Sequence, residues 1–109
     1  MQKIVVAITG ASGSIYARQL LTKLEQLKDY CKDTAVVITE NAKQVWQTEL
    51  DSIDYGDFNV NYYTNQDFTA SFASGSGQYD TMIIIPCSMG TLGRIAAGIS
   101  NDLITRAAD

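Results

Sequence analysis

The fold is decided by Ile4-Val5-Val6-Ala7-Ile8, which runs directly into the turn Thr9-Gly10-Ala11-Ser12-Gly13-Ser14. A short, mostly β-branched apolar run is typical of a parallel strand that is buried on both faces. The turn contains glycine and serine, and the residues after it have helical periodicity. A strand, a tight turn and a helix start together form an arrangement whose backbone N–H groups can hold an anion.

A second unit of the same kind lies near the end of the chain. The apolar run Met82-Ile83-Ile84-Ile85-Pro86 leads into the turn Cys87-Ser88-Met89-Gly90-Thr91. Ser88 and Thr91 are three positions apart, so both hydroxyls can lie on one face at a helix start. Two such units predict a nucleotide phosphate held at the carboxyl edge of a parallel sheet. A structural alternative stays open for each turn, in which the hydroxyls only cap helices.

The remaining elements alternate between strand and helix along the chain. We expect strands over Lys3–Ile8, Ala35–Thr39 and Thr81–Pro86, a short strand over Val60–Thr64, and helices over Ile15–Leu27, Asn41–Leu50 and Thr91–Ala97. This alternation predicts a three-layer α/β fold of the Rossmann or flavodoxin type with a mainly parallel sheet. We expect one domain over residues 1–109.

A last helix is expected after Asn101, which is a good N-cap residue. The chain ends at Asp109 when that helix has hardly formed, without a glycine to cap it. We therefore expect the sequence to be the amino-terminal portion of a longer domain.

Composition argues against several classes of partner. The formal net charge is −4, from 8 basic and 12 acidic residues, and no basic cluster is present to bind nucleic acid. No apolar run approaches the roughly 20 residues that span a bilayer, and the first strand leaves no room for a signal peptide. The two cysteines do not form a disulfide framework. These features predict a cytoplasmic protein that binds neither nucleic acid nor membrane.

The chain contains no histidine, so the commonest general base is missing. Two thiols without histidine also make a metal site improbable. We expect Cys87 to be a small buried hydrophobic residue and Trp46 to be a core or interface residue. Thr39 is expected at the ligand-binding edge of the sheet, with helix capping as its alternative role.

Four segments carry a resemblance to a known family. In order along the chain they are Ile8–Tyr16, Ala73–Ser76, Ile85–Leu92 and Ile99–Asp109. Together they resemble the UbiX-type flavin prenyltransferases, and the resemblance extends over the whole chain.

The resemblance implies a flavodoxin-like fold and FMN bound at subunit boundaries of a trimer-based homo-oligomer as large as a dodecamer. It implies transfer of a dimethylallyl group from dimethylallyl monophosphate to N5 and C6 of reduced FMN, without metal. The prenylated flavin would then serve a UbiD-type decarboxylase.

The resemblance also assigns roles to residues of this sequence. FMN would be bound by Gly10, Ala11, Ser12, Thr39, Ser88, Met89, Gly90, Thr91 and Arg106. The substrate pocket would be lined by Ala73, Ser74, Gly75 and Ser76. The arginine, glutamate, lysine and tyrosine that hold the allylic phosphate in the family lie beyond residue 109, so catalytic residues are not assigned in this chain.

Three alternatives remain open from the sequence. The first is an FMN-dependent cysteine decarboxylase of the same fold, which the lack of histidine disfavours. The second is a nicotinamide-dependent dehydrogenase of the short-chain type, disfavoured by the stretch Pro86–Leu92. The third is an FMN-binding fragment without activity.

Overall fold

The computed structural model describes residues 2–27, 29–67, 70 and 79–108. Its sheet has four strands, which are all parallel and lie in the order β3-β2-β1-β4. The strands are β1 (Gln2–Ile8), β2 (Cys31–Ile38), β3 (Asn61–Tyr63) and β4 (Thr81–Ile84). The predicted parallel α/β fold is confirmed.

Four α-helices and one 3₁₀ turn connect these strands. They are α1 (Ser14–Gln26), α2 (Glu40–Leu50), a 3₁₀ turn (Asp54–Gly56), α3 (Met89–Ala96) and α4 (Leu103–Ala108). The third helix begins two residues before the predicted Thr91, because Ser88 caps it and the helix starts directly after the cap. β4 ends at Ile84 instead of the predicted Pro86, since proline cannot donate to the ladder.

The helices cover the sheet on both faces, which gives the three predicted layers. Side chains alternate along β1, so Ile4, Val6 and Ile8 face the cluster that includes α1 and α2. Val5 and Ala7 face the opposite way, into the cluster that includes α4. Because both faces of β1 are covered, its apolar run needs no polar side, as expected for a central parallel strand.

The predicted inward residues of α2 need a correction. Val45 and Leu50 are only half-buried, whereas Ala42 and Trp46 are fully buried on the core side. Trp46 is therefore a core residue as predicted, and its indole N–H donates to Asp54 at 2.8 Å. This hydrogen bond gives the buried N–H group of Trp46 the partner that such a group needs.

The predicted cap at the start of α4 is wrong by one residue. The backbone N–H of Thr105 donates to a carboxylate oxygen of Asp102 at 2.9 Å, and the N–H of Asp102 donates to the Thr105 hydroxyl at 3.2 Å. This reciprocal pair caps the helix, while the side chain of Asn101 accepts a hydrogen bond from Arg94. Asp102, and not Asn101, is therefore the cap residue of α4, and its buried carboxylate is satisfied by hydrogen bonds.

In the part of the chain that the structure describes, no helix has the length and apolar character needed to cross a membrane.

Replacing Leu21 by alanine tests the packing of α1 on the sheet. Leu21 is fully buried in the cluster beneath α1, so we expect Leu21→Ala to lower the free energy of unfolding by about 2–5 kcal/mol. Urea unfolding followed by circular dichroism measures this loss. Thr22→Ala on the exposed face is the control and is expected to change stability by less than about 0.5 kcal/mol. Equal effects of the two variants would contradict this packing.

Candidate functional site

Three helices begin at the same edge of the sheet. α1 follows β1, α2 follows β2 and α3 follows β4, and these strands are neighbours with parallel direction. Each helix start carries partial positive charge from N–H groups that have no partner within the helix. We call the turn at residues 9–14 the first corner and the turn at residues 87–91 the second corner. The predicted convergence of two strand-to-helix corners at one edge is present in the structure.

The two corners are joined through Thr9. Its hydroxyl donates to the carbonyl oxygen of Pro86 at 2.6 Å and accepts from the backbone N–H of Ser88 at 2.7 Å. The backbone N–H of Thr9 also donates to the carbonyl oxygen of Pro86 at 3.2 Å. The corners are therefore in direct contact rather than merely on the same edge.

The first corner also approaches the start of α2 closely. A Cβ atom built on Gly10 would lie 2.7 Å from the Cβ atom of Asn41, which is closer than real Cβ contacts allow. Gly13 has a φ of 120°, a backbone conformation that side chains rarely adopt. Both glycines are thus required by the backbone, one for space and one for its dihedral angle.

The anion at the first corner is supplied by the chain itself. The carboxylate of Glu49, near the end of α2, accepts from the N–H groups of Gly13 and Ser14 at 3.1 and 3.0 Å. It also accepts from the Ser12 hydroxyl at 2.6 Å. Neither serine caps α1 with its side chain, so the predicted capping alternative fails here, and Glu49 satisfies the N–H groups instead.

These hydrogen bonds change the acidity of Glu49. The bond from the Ser12 hydroxyl, followed by those from the N–H groups of Ser14 and Gly13, lowers the pKa of Glu49 from 4.5 to about 2. The side chain is exposed, so the cause is hydrogen bonding to the charged form and not burial. Glu49 is therefore ionised at neutral pH, and the first corner holds one negative charge already.

The second corner is capped by its own hydroxyls. Ser88 is the N-cap of α3 and its Oγ accepts from the N–H of Thr91 at 3.2 Å. The Ser88 hydroxyl also donates to Oγ1 of Thr91 at 2.9 Å. The capping role that the sequence left open is therefore present, and it places both hydroxyls together at the helix start, as the spacing predicted.

Several backbone donors at these corners have no partner among the residues that the structure describes. They are the N–H groups of Gly10, Ser12, Met89 and Gly90. All four residues are exposed, so water can satisfy these groups or an anion can replace the water. The second corner contributes two adjacent donors of this kind and contains no carboxylate.

Thr39 stands beside a pocket at the same edge. Its hydroxyl accepts from the N–H of Ala42 at 3.0 Å and thereby caps α2, while its own N–H donates to the carbonyl of Ile8. The pocket has a volume of about 180 Å³ and is also lined by Lys43 and residues 64–66. This is less than the roughly 300 Å³ of a typical ligand pocket, so it can enclose only part of a cofactor.

A buried carboxylate connects the two sides of the edge. Asp102 accepts from Arg94 of α3 and from the amide of Asn65, each at 2.9 Å. Burial acts to raise the pKa of Asp102, but the hydrogen bonds from Thr105, Asn65 and Arg94 outweigh it and lower the pKa below its ordinary value. Asp102 is thus ionised and joins the pocket, where Asn65 lies, to α3.

The remaining predicted residues do not lie together. Met89 lies at the start of α3 with its side chain 81% exposed. Arg106 lies on α4 with an exposed side chain, and its approach to a cofactor stays a prediction. The predicted pocket residues 73–76 lie outside the described residues. Cys87 is half-buried, so the expectation that it is a small buried hydrophobic residue is wrong.

A model of the flavoprotein family matches residues 1–109. The chain belongs to the flavoprotein family. A flavin prenyltransferase UbiX from Methanocaldococcus jannaschii is 46% identical to this flavoprotein over 98% of the chain. The resemblance found in the sequence is confirmed by this match.

Solved structures are similar to the flavoprotein over nearly its whole length. The crystal structure of AnUbiX in complex with FMN and dimethylallyl pyrophosphate matches 99% of the chain with a TM-score of 0.88 and 34% identity. A dodecameric FMN-dependent UbiX-like decarboxylase from Escherichia coli matches 99% of the chain with a TM-score of 0.86 and 33% identity. The flavodoxin-like fold class is thereby confirmed.

The flavoprotein chain spans little more than half the length of these proteins. It covers 57% of the Methanocaldococcus jannaschii protein, 57% of AnUbiX and 59% of the Escherichia coli protein.

Sequence reasoning missed Glu49, the Thr9 bridge and the Asp102 network. Glu49 lies on α2, about two turns after the buried Ala42. No motif in the sequence marks it, because its hydrogen-bond partners are 35 to 37 positions away. Thr9 was included in the first turn, but nothing in the sequence pairs it with Ser88. For the Asp102 network one signal was available: Asp102, a good N-cap residue, directly follows Asn101, the predicted cap of α4.

The hydrogen bonds on Glu49 predict how stability depends on pH. Because its pKa is lowered on folding, the charged carboxylate stabilises the fold above its ordinary pKa of 4.5, and this stabilisation is lost as pH falls toward about 2. In Glu49→Gln we expect the stability difference from the wild-type protein to be full at neutral pH and to shrink on acidification. Urea unfolding at a series of pH values measures it.

Ser12→Ala provides the matched comparison, since it removes the largest cause of the shift and leaves the carboxylate. We expect the pKa of Glu49, measured by NMR titration, to be higher in this variant. A Glu49 pKa that is the same in both proteins would exclude the contact.

Proposed function

We propose that this chain is the FMN-binding portion of a flavin prenyltransferase, which attaches a dimethylallyl group from dimethylallyl monophosphate to reduced FMN. The observation that carries the proposal is the meeting of the two corners through Thr9, with free N–H groups exposed on both. The similarity to UbiX proteins, including one solved with FMN and dimethylallyl pyrophosphate, supports it.

The donor set fits a flavin mononucleotide. A phosphate dianion accepts several hydrogen bonds, and the second corner offers the adjacent N–H groups of Met89 and Gly90 together with the hydroxyl proton of Thr91, whose Oγ1 is held by the donation from Ser88. The start of α3 adds the favourable end of a helix dipole. No carboxylate lies in this corner, so nothing there repels the phosphate.

The first corner suits a different part of the cofactor. The N–H groups of Gly13 and Ser14 already donate to the carboxylate of Glu49, which is ionised. A phosphate placed there would be repelled by this negative charge. We therefore place uncharged parts of FMN against Gly10, Ala11 and Ser12, where the glycine allows close approach. The pocket beside Thr39 takes a further part of the cofactor.

The remaining assignments follow the resemblance. Arg106 is proposed near the cofactor, and the substrate pocket is proposed at Ala73, Ser74, Gly75 and Ser76. Residues 1–109 are proposed as a single flavin-binding domain.

Reduced FMN supplies the nucleophilic positions to which the dimethylallyl group is joined. The residues of this chain bind the cofactor's phosphate at the second corner and fix its orientation through the contacts at the first corner. An allylic phosphate also needs donors that stabilise its departing charge. No residue of this chain is assigned that task, and the chain spans 57% of the Methanocaldococcus jannaschii UbiX protein.

The assembly and location of the protein are part of the proposal. We propose a trimer-based homo-oligomer as large as a dodecamer, supported by the dodecameric Escherichia coli protein, and a functional link to a UbiD-type decarboxylase, supported by the similarity to UbiX proteins. A cytoplasmic location is supported by Cys87, a free thiol at a half-buried position, which suits a reducing compartment.

Binding of FMN to the purified chain tests the cofactor assignment. Titration of FMN fluorescence is expected to show saturable binding, because the second corner presents free donors to the phosphate. Ser88→Ala and Thr91→Val each remove one hydroxyl and are expected to weaken binding by about two- to tenfold. Thr22→Val, on the exposed face of α1, is the control and should leave the affinity unchanged. Absence of saturable binding by the wild-type chain would refute the cofactor assignment.

Prenyl transfer tests the reaction. The chain and the full product of its gene are incubated separately with reduced FMN and dimethylallyl monophosphate. The mass of the extracted flavin is then measured by mass spectrometry. We expect the full product to add the mass of one prenyl group. If the chain binds FMN and only the full product forms the adduct, the chain is a cofactor-binding portion. If neither forms it, the prenyltransferase assignment is wrong.

A further inference from the structure

We propose that Thr9 is a positioning residue of the flavin site, whose buried hydroxyl holds the second corner at a fixed distance from the first. The inference rests on the proposed function, because it concerns the affinity of the corners for FMN. It adds a residue that contributes without itself being placed in contact with the cofactor.

The Thr9 hydroxyl donates one hydrogen bond and accepts another. The residue is 2% exposed, and its oxygen has partners at 2.6 and 2.7 Å, both at the short end of the range for such bonds. A hydroxyl has one proton to donate, and this proton goes to Pro86. Since the oxygen accepts from Ser88 at the same time, one side chain ties together the last residue before the second corner and the cap of α3.

The bridge begins where the strand pairing ends. β1 and β4 pair in register as far as Ala7 and Ile84, and the N–H of Ile85 continues the pairing to the carbonyl of Ala7. Beyond Pro86, the bond from Ser88 to the Thr9 hydroxyl is the one hydrogen bond that joins the two corners in the described part of the chain. It extends the connection between the two strands from Pro86 to the cap residue of α3.

The orientation of the Ser88 peptide decides where the next donors lie. Ser88 is directly followed by Met89 and Gly90, the two N–H groups that we propose for the phosphate. Hydrogen bonds weaken steeply as their angle departs from linear. A small rotation of this peptide therefore moves both donors away from the phosphate of a cofactor whose uncharged parts are held against the first corner.

Two substitutions at Thr9 separate the hydroxyl from the rest of the side chain. Thr9→Val keeps the shape and removes both hydrogen bonds, which leaves the N–H of Ser88 without its acceptor. Thr9→Ser keeps the hydroxyl and removes only the methyl group. A role in positioning predicts that valine fails and serine succeeds, although serine leaves the larger gap in packing.

The experiment measures FMN affinity by fluorescence titration at a temperature where circular dichroism shows each protein fully folded. We expect Thr9→Val to weaken binding by about tenfold or more, and Thr9→Ser to stay within about threefold of the wild-type chain. Leu24→Ala is the control for stability alone, because Leu24 lies in the core toward the far end of α1. It is expected to lower the melting temperature and leave the affinity unchanged.

Amide hydrogen exchange gives a second readout that does not need the flavin. We expect exchange at Ser88 to be faster in Thr9→Val than in Thr9→Ser, whose hydroxyl still accepts from that N–H. If Thr9→Val does not fold, Thr9→Cys replaces it in the titration, since a thiol is a weak donor and acceptor. Its affinity is then expected to be lower than those of the wild-type chain and the serine variant.

The outcomes separate this inference from the proposed function. A wild-type chain that does not bind FMN overturns the proposed function and, with it, the role of Thr9 in the flavin site. A wild-type chain that binds, together with a valine or cysteine variant of equal or higher affinity, overturns only the role of Thr9. Equal losses in the valine and serine variants would show that keeping the hydroxyl does not keep the affinity, and would also overturn it.

Discussion

The parallel pairing of β1 with both β2 and β4 is the constraint on which the rest of the structure depends. Parallel neighbours end at the same edge of a sheet, so the helices that follow them begin side by side. Every feature of the candidate site is a consequence: the Thr9 bridge, the close approach of Gly10 to α2, and the contact of Glu49 with the first corner. An antiparallel β4 would have carried the second corner to the opposite edge.

Electrostatics then divides the two corners, although the sequence makes them look alike. Three helix starts at one edge create a strongly favourable place for negative charge. The protein satisfies the first corner with its own carboxylate, Glu49, and leaves the second corner to hydroxyls and free N–H groups. This division gives the site a direction, because an incoming dianion is favoured at one end and repelled at the other.

Much of the fold could be predicted from the sequence, and the site only in outline. The apolar run Ile4–Ile8 has no polar face, so it predicts a strand buried on both sides, as the structure shows. Helical periodicity predicted the bounds of α1 and α2 to within a residue or two. Predictions failed where a choice depended on a distant partner. Asn101 and Asp102 are both good caps, and only Arg94 and Asn65 make the carboxylate the better one.

The sequence by itself determined the order of strands and helices along the chain and the glycine-rich corners, because local periodicity and turn chemistry act over a few residues. Its motifs also carried the resemblance to the family, which the family match confirms. Tertiary structure alone decided that Glu49 lies on the first corner. It also decided that the Thr9 hydroxyl accepts a hydrogen bond from Ser88, which is 79 positions away from Thr9 in the sequence. The physical reason is that a hydrogen bond depends on the positions of both partners in space. No local pattern records which residues the sheet will bring together.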